Sequence, residues 1–187
     1  DHPEPAVRNW TVRLLGDDLR FGPKLAAKIA DAARTENDVQ VRSQWACSAR
    51  RVPAEEGLPV VQSLLQRDDD ANDIHVPLLL WWGIEARCEN QREAVLDLFR
   101  ESTLWRAKMV EETILPRLMR RFAQAGSQKD YRTCLAFFRL APEAKHRSIL
   151  MKGFEEAFKG RSITGLPKEL LDEIAKIGGG SLAFGIR

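Results

Sequence analysis

Cysteine, tyrosine, histidine and long apolar runs are all scarce in this chain, and each scarcity removes a class of protein. Cys47, Cys88 and Cys134 are odd in number, far apart and each set in a helical pattern. That is the distribution of small buried hydrophobes, so three free thiols are expected and no disulfide framework. None of the three belongs to a Cys-x-x-Cys-His haem attachment sequence. The longest apolar run, Val76 to Trp82, is far too short to span a bilayer, which predicts no membrane contact by this segment. His2, His75 and His146 stand in different parts of the sequence, with no ligand spacing around them for a metal. No Walker loop, dinucleotide-binding glycine pattern or nucleophile elbow occurs, and nowhere do apolar residues alternate with the period of two that a strand requires. The expectation is a non-enzyme with no catalytic residue, cofactor, metal or small-molecule substrate.

What remains is helix. The 187 residues, 44% hydrophobic and 30% charged, suffice for a core without covalent staples. Apolar residues recur at helical spacing, as in Val7, Trp10, Thr11, Leu14, Leu15, in Leu25, Ile29, Ala32, Ala33, and in Tyr131, Cys134, Leu135, Phe138. Pro5, Pro23, Pro53, Pro142 and Pro167 mark helix starts, because a proline in the first turn sacrifices no hydrogen bond. Superposing the segments exposes a repeat: Val7-Arg8, then Asn37-Asp38-Val39-Gln40-Val41-Arg42, then Asn72-Asp73-Ile74-His75-Val76-Pro77. The valines are 34 and 35 residues apart. A period this long, carrying two amphipathic helices, is that of a helical-hairpin solenoid. Helix pairs are predicted at about 4–15 with 23–35, 39–51 with 54–66, and 75–87 with 91–100.

Residues 1–101 thus read as regular hairpins and 102–177 as less regular helices. Thr103 to Ala125 is one long pattern that Pro116 should kink or split, and further helices are expected near 127–140, 143–159 and 167–177. Gly178-Gly179-Gly180 should end the last helix and lead into the tail 178–187. The start at Asp1 without a leader sequence and the apolar end, Ser181 to Arg187, read as a piece cut from a larger protein. The fold class is all-α, a HEAT-like α-solenoid of about five hairpins forming a single domain over 1–187. HEAT type is favoured over tetratricopeptide repeats by Asn37-Asp38-x-x-Val41-Arg42. There the Asp can cap a helix and the Arg, one turn in, can reach a neighbouring carboxylate. In the third repeat Pro77 stands where that Arg would be, so this rung should be missing.

Two stretches resemble a known family: Asn72-Asp73-Ile74-His75-Val76-Pro77-Leu78-Leu79-Leu80-Trp81-Trp82-Gly83-Ile84-Glu85 and Ile114-Leu115-Pro116-Arg117-Leu118-Met119-Arg120-Arg121-Phe122-Ala123. With Gly160-Arg161 and Leu166-Pro167 they look like the HEAT-like region of very large exported proteins of planctomycete and verrucomicrobial type. Those are described as membrane-bound dehydrogenases with a sugar-dehydrogenase-like β-propeller and a c-type cytochrome module. The resemblance covers about residues 1–180. It implies an interdomain spacer or docking platform in a periplasmic or exported redox protein; without the resemblance, a cytoplasmic adaptor is the alternative. It transfers no chemistry to any residue here.

The candidate partner-binding residues are Trp81, Trp82, Arg117, Arg120 and Arg121. Adjacent tryptophans on a helix point about 100° apart, so one can serve the core while the other reaches a groove. Trp10, Trp45 and Trp105 read as core or half-buried. Residues 1–101 hold 13 basic and 18 acidic side chains, a net of −5, whereas 102–187 hold 16 and 9, a net of +7. Arg117, Arg120, Arg121 and Lys108 could therefore face an anion, as in HEAT-like DNA glycosylases, or form salt bridges with Glu111, Glu112 or Asp130; the salt bridges are the preferred reading. His75 beside Asp73 reads as a helix cap in preference to an acid–base pair. Glu55-Glu56, Asp68-Asp69-Asp70, Glu111-Glu112 and Glu155-Glu156 read as solvated surface, the aspartate run lacking the glycine and terminal Glu of a calcium loop. The expected partner is a protein or another domain of the parent chain.

Overall fold

Proline and aspartate set where the helices begin. Pro5 and Pro23 occupy the first helical positions of α1 (Pro5–Asp17) and α2 (Pro23–Thr35). The Asp38 carboxylate accepts from the Gln40 and Val41 amides and so caps α3 (Val39–Arg51). Pro53 and Pro167 stand one residue ahead of α4 (Ala54–Leu65) and α10 (Lys168–Ile177), and Pro142 two residues ahead of α9 (Ala144–Phe158). The remaining helices are α5 (Val76–Glu85), α6 (Arg92–Leu98), α7 (Leu115–Ala125) and α8 (Gln128–Leu140). The computed structural model describes residues 2–100, 103–160 and 165–177, and among these every regular element is helical. The ten α-helices among the described residues make an all-α helical repeat. The triple glycine and tail expected at 178–187 lie outside the described residues.

The chain divides into two compact units, Asp1–Val110 and Glu111–Arg187. In the first, helices pack on those two places along: α1 on α3, α3 on α5, α2 on α4 and, less extensively, α4 on α6. That pattern is the stacking of hairpins, in which every pair buries its apolar side on its neighbour. Two arginines repeat with the same period. Arg8 donates two hydrogen bonds, 2.8 and 2.7 Å, to the Glu36 carboxylate. Arg42, 34 residues on, does the same to Asp70 at 2.6 and 2.5 Å, and a further donation to the Glu36 carbonyl at 3.0 Å joins the rungs. In the third repeat Pro77 supplies no guanidinium, as expected. The stacking of hairpins two and three has, besides the Arg42–Asp70 rung, the buried Arg87 side chain, which donates to the carbonyls of Ala49 and Val52 at 2.7 and 2.8 Å and to that of Gly83. Burial pulls its basicity below the ordinary value. Gly57 makes room for this arrangement, since a Cβ there would lie 2.2 Å from the Ala49 carbonyl and 2.6 Å from the guanidinium.

The second unit rests on α7 against α9. The predicted break at Pro116 takes the form of a π-helical turn, Val110–Ile114, from which α7 starts with Pro116 in its first turn. A proline lacks the N–H an uninterrupted helix would need there, and a widened turn accommodates the loss. Gly153 on α9 lies so close to α7 that a Cβ would fall 2.2 Å from the Pro116 carbonyl. Ser127 and Asp130 form a reciprocal capping box on α8. The core of this unit includes Phe122, Phe137, Phe138 and Phe154, all fully buried.

Asp70→Asn leaves the buried Arg42 without a countercharge and should cost about 3–5 kcal/mol in urea unfolding. Hydrogen bonding from Arg8 holds the Glu36 carboxyl below its ordinary pKa, so its contribution is full above 4.5 and lost as pH falls through the lowered native value. The thermal midpoint of Glu36→Gln should therefore lie below that of the parent at pH 7 and converge with it in acid.

Candidate functional site

Helix α5 is apolar on most of its surface because α3 and α4 both pack on it. Its start is fixed by Asp73, whose carboxylate accepts from the His75 and Val76 amides, each at 2.8 Å, and is held below its ordinary pKa by those two bonds. His75 thus lends its backbone to a cap, and its ring is exposed. The adjacent tryptophans separate as helical geometry requires. Trp81 is buried at 9% exposure, and Trp82 is 45% exposed. Leu78, one turn before Trp82, is half-buried, and Ile74, just ahead of the helix, is open to solvent. Truncating the core from this helix is thus a matter of Trp81; Trp82 is surface.

In the second unit, Arg117 and Arg120 are exposed on α7, while Arg121 is half-buried and engaged within the structure. Arg120 lines a cavity of about 450 Å³ with Gln124, Glu156, Ala157 and Lys159, where Lys159 and Glu156 stand 3.9 Å apart. Among the described residues neither Arg117 nor Arg120 pairs with Glu111, Glu112 or Asp130. Glu111 takes Lys145 at 2.5 Å and the buried His146 at 3.2 Å, and Asp130 takes part in the α8 capping box. Lys108 belongs to the first unit, where its amide donates to Asp68 at 2.9 Å and its ammonium to Asn72 at 3.4 Å.

Several acidic residues read as solvated surface prove structural. Asp70 is buried against Arg42, and Glu56 is buried and accepts from the Phe21 amide at 2.5 Å, tying the start of α2 to α4. Glu55, Asp68, Asp69, Glu112 and Glu156 are exposed. Among the described residues no group of three or more His, Cys, Asp or Glu side chains is placed to hold a metal ion. The three cysteines are free thiols, Cys88 and Cys134 buried and Cys47 half-buried. Burial raises the thiol pKa of Cys134 and of Cys47, which opposes formation of a reactive thiolate.

Helix α1 does not bury the residues that carry most of its apolar spacing. Val7, Trp10 and Leu14 carry its apolar spacing, yet they are 44%, 58% and 61% exposed, and α1 instead buries Val12 and Gly16. Trp10, expected in the core or half-buried, is exposed and lies under the Arg13 guanidinium, 5.1 Å from the ring centre. Gly16 explains the choice: a Cβ there would sit 2.7 Å from the Ser48 hydroxyl, so α1 meets α3 along its small residues. Leu25 of α2 is exposed as well. Beside these residues an open groove of about 960 Å³ runs between α1 and α2, walled by Leu15, Ile29 and Ala32 and floored by Val41 and Trp45. The signal available in the sequence is the second line, Val12 and Gly16, four residues apart.

Trp81→Ala should cost about 3–5 kcal/mol as a core truncation, whereas Trp82→Ala should cost about 1 kcal/mol or less, a contrast that denaturant midpoints resolve directly. Comparison with protein-family models, with curated proteins and with solved structures finds no match.

Proposed function

We propose that this chain is a noncatalytic interaction or spacer domain of the HEAT type, working between other domains or proteins, in keeping with the resemblance to exported multidomain redox proteins. The observation that carries this reading is the division of labour on α5: Trp81 completes the core, and Trp82 is left half-exposed beside Leu78 on a helix held firm from two sides. Rigidly mounted aromatics are the residues that anchor protein interfaces, because they bury much area and lose little conformational freedom on binding. In the setting the resemblance suggests, the domain is periplasmic or exported and its partners are the neighbouring modules of the same redox protein.

A second reading, nucleic-acid binding, is favoured by one observation: Arg117 and Arg120 project from α7 into solvent, with no ion pair to either among the described residues. The two readings differ in their response to salt, since binding through phosphates weakens steeply with ionic strength and binding through an apolar anchor does not.

Two experiments test the proposal. A photo-crosslinking side chain at position 82, used in the native host, should give a discrete protein adduct, and its absence would count against α5 as a docking face. A labelled DNA duplex titrated at 50 and 200 mM salt, values chosen to span the steep part of a phosphate-driven response, should show no binding that depends on Arg117 and Arg120. Strong, salt-sensitive binding lost in Arg117→Ala with Arg120→Ala would replace the proposal with the second reading.

A further inference from the structure

We infer that copies of this chain associate head to tail, the α5 face around Trp82 of one receiving the α7 arginines Arg117 and Arg120 of the next. The inference rests on the interaction-domain reading and names an occupant for its docking face. Counting back from Ile74, Leu78, Trp82 and Ala86 by the 35-residue period gives Val39, Ser43, Cys47 and Arg51, and by a further 34 gives Pro5, Asn9, Arg13 and Asp17. Intervals of four residues set each group along one side of its helix. The stacking position is the next residue round: Ser48, whose hydroxyl donates to the Val12 carbonyl at 3.1 Å, corresponds to the buried Gly83. The line through Trp82 is therefore not the stacking face, and continuing the repeat does not cover it. In the first two hairpins the line is mixed, and its Arg51 and Asp17 pair with each other at 2.7 Å. Of the three, only α5 makes it wholly apolar, with Trp82 and Ile74 exposed and Leu78 half-buried.

Charge selects the occupant. Residues 66–100, the third hairpin, hold 4 basic and 8 acidic side chains, a net of −4. Glu85 and Glu89 follow Trp82 at i+3 and i+7, the spacing of neighbours on one helix side, and Glu89 is exposed. An open indole beside carboxylates is a receptor for guanidinium, since the ring face attracts the cation and the carboxylate accepts its hydrogen bonds. The chain already forms the first half of such a contact where Arg13 lies over Trp10. It also carries the complement. Residues 111–187 hold 14 basic and 9 acidic side chains, a net of +5. Helix α7 has three arginines and no acidic residue, and Arg117 and Arg120, one turn apart, are both exposed. The methylene stems of these arginines are suited to cover Leu78 and Ile74 while their heads reach the glutamates.

Docking α5 on its own copy is disfavoured, because it sets one acidic hairpin against another. The contact of unlike faces leaves every pair with one face of each kind unused, so association continues into a ring or an open chain. One aromatic and two arginines make a small interface, which places the association among weak, transient ones.

The test is sedimentation velocity of the 187-residue chain over a concentration series. It should show reversible association that weakens as salt is added. Trp82→Ala, and separately Arg117→Glu with Arg120→Glu, should each weaken the association about tenfold. All three residues are exposed, and Glu89→Arg provides a second α5 variant should Trp82→Ala be unstable. Each variant keeps the face that the other lacks, so a mixture of the two should form a one-to-one pair that grows no further. A chain that stays monomeric to millimolar concentration overturns the inference; the interaction-domain reading survives that result if the crosslinker at position 82 captures a different protein. Association that neither variant weakens also overturns it. Association that Trp82→Ala weakens but the mixture does not restore overturns it in favour of a symmetric contact.

Discussion

No helix in the first unit can bury its own apolar face, and α1 to α4 each pack on the helix two places further along. That dependence dictates where small residues stand, since backbones can stack closely only where side chains withdraw. Gly16 against Ser48 and Gly57 against the Ala49 carbonyl are such withdrawals in the first unit, and Gly153 against the Pro116 carbonyl is its counterpart in the second. Once the approach is close, polar groups at the seams have no access to water and must be answered within the protein. The paired rungs Arg8–Glu36 and Arg42–Asp70 are that answer, repeated at the same interval as the helices themselves.

Much of this was legible in the sequence because it is periodic. The valine spacing located the hairpins, Asp38 and Asp73 declared themselves as caps, and the Arg at position 42 with Pro77 in its place one repeat later foretold one rung present and another missing. What escaped was whatever depended on which side of a helix meets its neighbour. Spacing shows that α1 has an apolar line through Val7, Trp10 and Leu14, but a second line through Val12 and Gly16 competes for the core. Glycine wins by permitting contact at a distance leucine would forbid. Adjacent tryptophans pose the same difficulty: that one of Trp81 and Trp82 faces outward follows from helix geometry, whereas which one follows only from packing. Glu56 and Asp70 were hidden for another reason, since a buried carboxylate is indistinguishable in sequence from a solvated one until its donor is located.

The candidate surfaces differ in kind. On α5 a single aromatic projects from a helix fixed on two sides, on α1 an entire apolar line lies bare, and on α7 two arginines extend into solvent. A helical repeat is suited to carry such features, because each hairpin needs only its neighbours for stability and its outer residues are then unconstrained by folding. The separation of structural from surface roles along one helix, as between residues 81 and 82, is what permits binding to change without loss of the fold.

Arg87 ties the third hairpin to the second in a different way from the Arg42–Asp70 rung, with a single side chain. Its partners are main-chain carbonyls, which every residue type presents alike. A seam built in this way is indifferent to the identity of the residues at 49 and 52 so far as hydrogen bonding goes, whereas an Arg–Asp rung is lost when either member changes. The tolerance on one side is matched by rigidity on the other: the hereditary risk of this one set of hydrogen bonds is concentrated in a single codon.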